Sequence, residues 1–413
     1  MKFTNPLSLY KGLPSGIYVL SFATIINGIG IFVYPFLTLY LTLKLGYSAS
    51  RAGVFMTVAT TLYIPGSFLG SKLADSIGRK KVMVFSQLCM AFFYFLCGCH
   101  EGQSTIPYLV LCALFFDGVT DPAREALKID ITSMENRQVS FSLIYLAHNL
   151  GYAIGPVIGG LLFLSAPRWL FWGNAIAQVL AVIPVLLKIK ETKPSKEEIA
   201  ISIKSNSSDK AEEGGILKAL LSRPLILLFA VAMTFFTFGY SQTLFGLPLF
   251  TTQLFQDKGA TLYGSIMAFN ALLVVLLTPS IVSATRKRHP LFNVVLAGLL
   301  FALGFGLFAF STVPWQFYVC CAIFTFGEVL WATNGNYYIA NNTPKSHRAR
   351  FNAVLPIIEG TGHAIAPTVG GLIIDQLSMN WLWLSSSLAA LLGTLLVLFL
   401  YGKEKAKKKD KET

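Results

Sequence analysis

Charge is scarce in this chain of 413 residues: Asp, Glu, Lys and Arg together supply 13% of it, against 54% hydrophobic residues. With a mean hydropathy of +0.61, that shortage excludes an ordinary soluble domain. The short motifs of enzymes are missing as well. There is no nucleophile elbow, no P-loop and no HExxH pair, so neither an enzyme nor an ATP-driven machine is expected, and no cofactor. The six cysteines, Cys89, Cys97, Cys99, Cys112, Cys320 and Cys321, form no CxxC pair and have no histidine spaced as a co-ligand. They read as small buried hydrophobes, and no metal site is expected. A cleaved signal is not expected either: only Lys2 and Lys11 precede the first apolar segment, and further segments follow it.

What the chain does contain is apolar length. Twelve segments of about 20 residues, each able to cross a hydrocarbon core about 30 Å thick as a helix, begin near Ser15, Ala52, Val82, Ile106, Val139, Arg168, Pro224, Thr261, Leu291, Pro314, Phe351 and Trp381. This predicts an all-α membrane protein with twelve transmembrane helices. The polar stretch 189–222 reads as a flexible linker. It divides a six-helix bundle, 1–188, from a second, 223–402, and residues 403–413 form a basic tail.

The net charge of +13 invites a nucleic-acid reading, but the placement of the bases argues for a lipid surface. If the N-terminus is cytoplasmic, 28 of the 33 Lys and Arg residues fall on inside stretches, as the positive-inside rule requires. The expected location is the cell (plasma or inner) membrane, multi-pass, with both termini cytoplasmic. The tail would lie against anionic headgroups, and no nucleic-acid partner is expected.

Acids inside apolar segments are costly in hydrocarbon and are candidates for function. In the fourth segment Asp117, Asp121 and Glu125 are spaced four apart on one helix face, with Arg124 three residues from Asp121. Asp117 falls near mid-membrane and Asp130 at the cytoplasmic edge. A carboxyl there can bind and release a proton as its surroundings change; the alternative is a static pair of Asp121 and Arg124, with Pro122 bending the helix. In the second half Glu328 and Glu359 lie half-way through the tenth and eleventh segments, and His363 is one turn beyond Glu359.

The halves repeat. An offset of 211 residues sets Arg348 on Arg137, Gly370 and Gly371 on Gly159 and Gly160, Glu328 on Asp117, and Glu359 on His148 beside Asn149. An offset of 213 sets Tyr240 on Asn27. Parallel six-helix repeats of this kind build one class of transporter. Tyr145, Tyr240 and Trp331 are candidate substrate contacts through stacking and cation–π attraction. Asn27, Arg124, His148, Asn149 and His363 are the polar candidates, although such aromatics also cover lipid-facing surface.

Two stretches carry a resemblance to a known family. The turn after the second segment, with Gly70, Asp75, Gly78, Arg79 and Lys80, resembles the cytoplasmic signature of the major facilitator superfamily. The position after the aspartate, an arginine in that family, is Ser76 here. The fifth segment, with Gly151, Gly155, Pro156, Gly159 and Gly160, resembles the antiporter motif of the drug:proton exporters in that superfamily, though small residues at this spacing also mark packing alone.

The resemblance implies two six-helix bundles that work by alternating access and export lipophilic or cationic compounds in exchange for protons. A monomer is expected, with a small-molecule substrate, protons and the bilayer as its partners. It further implies a cytoplasmic latch in which Arg79 approaches Asp130 and Asp75 approaches the N-terminus of the eleventh helix. Gly155 and Gly159 are expected to pack the fifth helix against the second half. Proton-coupled nutrient uptake or movement of a lipid or metabolite are the rivals within transport, and a membrane receptor is a rival outside it.

Overall fold

The computed structural model describes residues 10–133, 135–193, 224–285, 287–342 and 348–412, and no strand occurs among them; most of the expected linker, 194–222, lies outside. The helices are α1 (Ser15–Ile29), α2 (Val33–Leu39), α3 (Ala49–Ile77), α4 (Arg79–Cys99), α5 (Ile106–Ile131), α6 (Arg137–Ser165) and α7 (Arg168–Lys188), then α8 (Pro224–Phe255), α9 (Gly259–Thr285), α10 (Pro290–Phe308), α11 (Pro314–Asn342), α12 (Arg348–Gln376) and α13 (Met379–Glu412). In hydrocarbon every backbone N–H and C=O must be satisfied within its own segment, which is why apolar length becomes helix here. Eleven stretches among the described residues are long and apolar enough to span. One of them, Pro224–Thr285, is α8 and α9 joined by the turn Gln256–Lys258, so counting its two helices separately gives twelve. The first span breaks after α1 at Gly30 and resumes as α2.

Two compact units emerge. One holds Met1–Tyr47, Val58–Ser195 and Thr251–Leu272; the other holds Ser48–Thr57, Lys196–Phe250 and Leu273–Thr413. The first unit therefore takes the end of α8 and the start of α9 from beyond the linker, and the second takes the start of α3. In the first unit α1 packs on α6 and α7, and α4 on α5 and α7; in the second α10 packs on α11 and α13.

The glycines of α6 explain the first unit, and they correct one expectation. A Cβ on Gly151 would sit 2.8 Å from Gly28 Cα, and one on Gly155 would sit 2.5 Å from Gly28 O. Gly159 faces the Phe36 and Phe32 rings. Gly151, Gly155 and Gly159 share one helix face because they are four apart, and that face is turned towards the first span, not the second half as expected. Gly160 is one residue on, about 100° around the helix, and it meets Ala260 O and Thr261 Cα at the start of α9. Pro156 O likewise lies over Gly264.

The expected tail does not separate from the last span. α13 continues unbroken through Glu412, and Glu404 accepts a hydrogen bond from Tyr338 Oη at 2.7 Å and pairs with His289 at 3.4 Å. Large apolar side chains stay exposed on many helices, Phe68, Phe85, Tyr108 and Leu187 among them. Hydrocarbon, not water, is the solvent that tolerates such a surface.

Candidate functional site

The charged face of α5 is positioned by backbone contact with α3. A Cβ on Gly118 would meet Tyr63 O at 2.5 Å, one on Gly66 would meet Phe115 O at 2.5 Å, and one on Gly70 would strike the Val119 carbonyl. Gly70, the first residue of the turn motif, is thus a packing glycine. The close approach brings the Tyr63 hydroxyl onto Asp121 Oδ2, donating at 2.7 Å. Arg124 Nη1 lies 3.5 Å from the other oxygen of the same carboxylate. Glu125 is paired with Lys128 at 2.5 Å.

Asp117 differs from both. Its half-buried carboxyl makes no hydrogen bond or ion pair among the described residues, although the Tyr34, Tyr63 and Tyr94 hydroxyls and Arg124 lie within electrostatic range. One face of one helix therefore holds three acids in three settings: unpaired, held by tyrosine and arginine, and held by lysine.

In the second unit Tyr240 Oη donates to Glu328 Oε1 at 3.0 Å. The Tyr240 ring lies 6.1 Å from that of Trp331, with Phe301 and Phe324 alongside. The Trp331 indole N–H donates to Met233 Sδ at 3.1 Å. Glu359 is fixed by its backbone, since Thr237 Oγ1 donates to its carbonyl at 2.7 Å, while its side-chain Oε1 is buried with no hydrogen-bond partner. His363 accepts through its backbone carbonyl from Ser241 Oγ at 3.4 Å.

Other expected substrate contacts are occupied locally. Asn27 Oδ1 accepts from Gln87 Nε2 at 3.1 Å, and Gln87 also donates to Gln178 Oε1 at 2.8 Å, forming an amide cluster across α1, α4 and α7. Asn149 donates to the Tyr145 carbonyl in its own helix, Tyr145 itself is exposed, and the His148 ring stacks on Tyr152 at 5.9 Å.

The turn between α3 and α4 gathers the expected charges. Arg79 lies 3.2 Å from Asp75 and 3.2 Å from Asp130. Its Nε hydrogen points off the line to Asp130, so the second contact is an ion pair without a hydrogen bond. Asp75 is 73% exposed. The side chains at the start of the eleventh span, residues 348–354, where Asp75 was expected to lie, are outside the described residues.

Residues 191–193, which no local pattern marks, complete this turn. Glu191 accepts from the Lys80 and Lys81 N–H groups at 3.2 and 3.1 Å, Thr192 donates to Asp130 Oδ2 at 2.8 Å, and the Lys193 ammonium donates to the Ser76 carbonyl. Lys193 thus brings a cation to the position where Ser76 replaces the family's arginine. Gly78 is required twice: its φ of +127° disfavours any side chain, and a Cβ would collide with the Glu191 carboxylate. Glu191 looked like one charge among many because its partners are backbone groups of residues over a hundred positions away.

Burial pushes the Glu191 carboxyl up, but the N–H groups of Lys81, Lys80, Thr192 and Arg79 outweigh it and hold it below its usual range. A depressed value contributes stability above the ordinary carboxylate range and loses it as pH falls through the folded value. Glu191→Gln is therefore expected to melt earlier than the parent at pH 7 in detergent, with the two midpoints converging in acid. A constant gap across pH would show that charge at Glu191 does not stabilise the turn.

Comparison with known proteins adds a family. The profile described as Major Facilitator Superfamily matches residues 20–354 and 294–413. The chain is 25% identical over 359 residues to a Na(+), Li(+), K(+)/H(+) antiporter of Planococcus maritimus, covering 81% of this chain and 84% of that protein. It is 23% identical to the multidrug resistance protein MdtH of Edwardsiella ictaluri, covering 94% of each. Among solved structures, a POT family transporter in complex with 5-aminolevulinic acid superposes with a TM-score of 0.77 at 18% identity, covering 95% of this chain and 97% of that one.

Proposed function

This chain belongs to the major facilitator superfamily, and from that premise we propose that it exports lipophilic or cationic small molecules by alternating access, driven by protons moving the other way. The observation that carries the proposal is Asp117: a half-buried carboxyl inside a membrane span, with tyrosines around it and no partner of its own among the described residues. Unlike Asp121, it can change protonation without breaking an ion pair or a hydrogen bond. The relatives named for cation/proton antiport and for multidrug resistance support exchange over uptake. The aromatic group around Tyr240 and Trp331, with the Glu328 carboxyl at its edge, suits an apolar cation. In this reading both termini are cytoplasmic, the turn at Asp75, Arg79 and Asp130 closes the inner side, and the bundles divide at the linker.

The test is flux in inverted membrane vesicles with an imposed pH gradient. A lipophilic cationic dye should accumulate only when the gradient is present, and adding dye should itself dissipate the gradient. Dye accumulation indifferent to the gradient, or dye movement only down its own gradient, would sink the proposal.

A further inference from the structure

The repeat gives each compact unit the same contact. In the first, Gly160 rests on Ala260 O and Thr261 Cα while Gly264 lies under Pro156 O; in the second, Gly371 rests on Ala49 O and Ser50 Cα while Gly53 lies under Pro367 O. Every partner is related by 211 residues. One component is not duplicated. Asp375, one turn beyond Gly371, accepts from Ala49 N at 3.2 Å and Ser50 N at 2.9 Å at the tip of α3; its repeat mate is Leu164.

We propose that Asp375 is a positioning residue of the transport cycle, an outer latch that holds the tip of α3 against α12 and lets go when the protein opens outward. The inference rests on the alternating-access reading, and three features make the contact releasable. α3 does not need Asp375 to begin, because Ser48 Oγ already accepts from Arg51 N at 3.2 Å and Ser48 O from Ala52 N at 3.0 Å. The two N–H groups that Asp375 satisfies belong to the first turn, where water can replace it. The hydroxyl bonds deeper in the contact are ones that water can replace: Thr57 Oγ1 donates to Ala364 O at 2.7 Å, and Thr368 Oγ1 donates to Thr57 Oγ1 at 2.8 Å. An anion at a helix N-terminus is the charged element in the contact, and losing a cap of this kind shifts an equilibrium by about fivefold.

The experiment places a cysteine at Thr57 and measures its reaction with a membrane-impermeant maleimide added from outside. With Asp375→Ala the labelling rate should rise about fivefold, and with Asp375→Asn, which keeps an acceptor and loses only the charge, by about two- to fivefold. A second variant covers the case in which those proteins fold poorly. Thr57→Cys with Thr368→Cys sets two thiols near the 2.8 Å hydroxyl pair, within reach of a disulfide. Oxidation should stop transport and reductant should restore it.

Unchanged labelling in well-folded Asp375 variants, or full transport in the oxidised double-cysteine protein, overturns the latch. Raised labelling in a protein that never moves dye against a proton gradient leaves the latch standing and refutes the exporter reading instead.

Discussion

Asp117→Asn is expected to abolish uphill transport while leaving substrate binding and downhill exchange close to normal. The accumulation ratio under an imposed pH gradient should fall by about 5- to 150-fold, the range of ordinary coupling free energies. The argument is one of commitment. Asp121 is held by Tyr63 and Arg124, and Glu125 by Lys128, whereas Asp117 has no hydrogen bond or ion pair to lose among the described residues. Asn matches Asp in size, so packing against α3 survives and only the titratable group is lost. Dye binding by quenching and uphill flux in vesicles separate the two effects. If Asp117→Asn still concentrates dye while Glu359→Gln does not, the proton is carried in the second unit, by the acid whose Oε1 is buried without a partner.

The second large effect concerns folding. Gly155→Leu should remove most of the folded protein, because its Cβ alone would fall 2.5 Å from Gly28 O. Gly28 lies in the last turn of α1, and its backbone carbonyl cannot move aside as a side-chain tip can. Overpacking of this kind costs about 1–3 kcal/mol and sometimes more, which is a large share of an ordinary stability. Gly360→Ala is the matched control, since a Cβ there meets nothing within 4 Å and alanine improves helix propensity by about 1 kcal/mol. Melting in detergent should place Gly155→Leu far below the parent and Gly360→Ala at or above it. Equal midpoints for Gly155→Leu and the parent would mean that α1 and α6 are not in contact in the folded protein.

The spans, the repeat and the family were legible in the chain because each is written in local pattern or at a fixed offset. A run of about 20 apolar residues has no other low-energy structure in hydrocarbon than a helix. The motif residues Gly70, Gly78, Gly155 and Gly160 were marked in advance for the same reason: glycine at those places is a local fact. What each glycine faces was not local. Gly155 and Gly160 are five residues apart and serve different neighbours, Gly28 and Ala260, because direction around a helix matters only once a second helix is present. The acids show the same division. Sequence alone put Asp117, Asp121 and Glu125 on one face, which follows from 3.6 residues per turn. Only tertiary structure assigned Tyr63 to Asp121 and brought Glu191 to the turn at Gly78, since a hydrogen bond between residues 58 or 111 positions apart leaves no period in the chain to read.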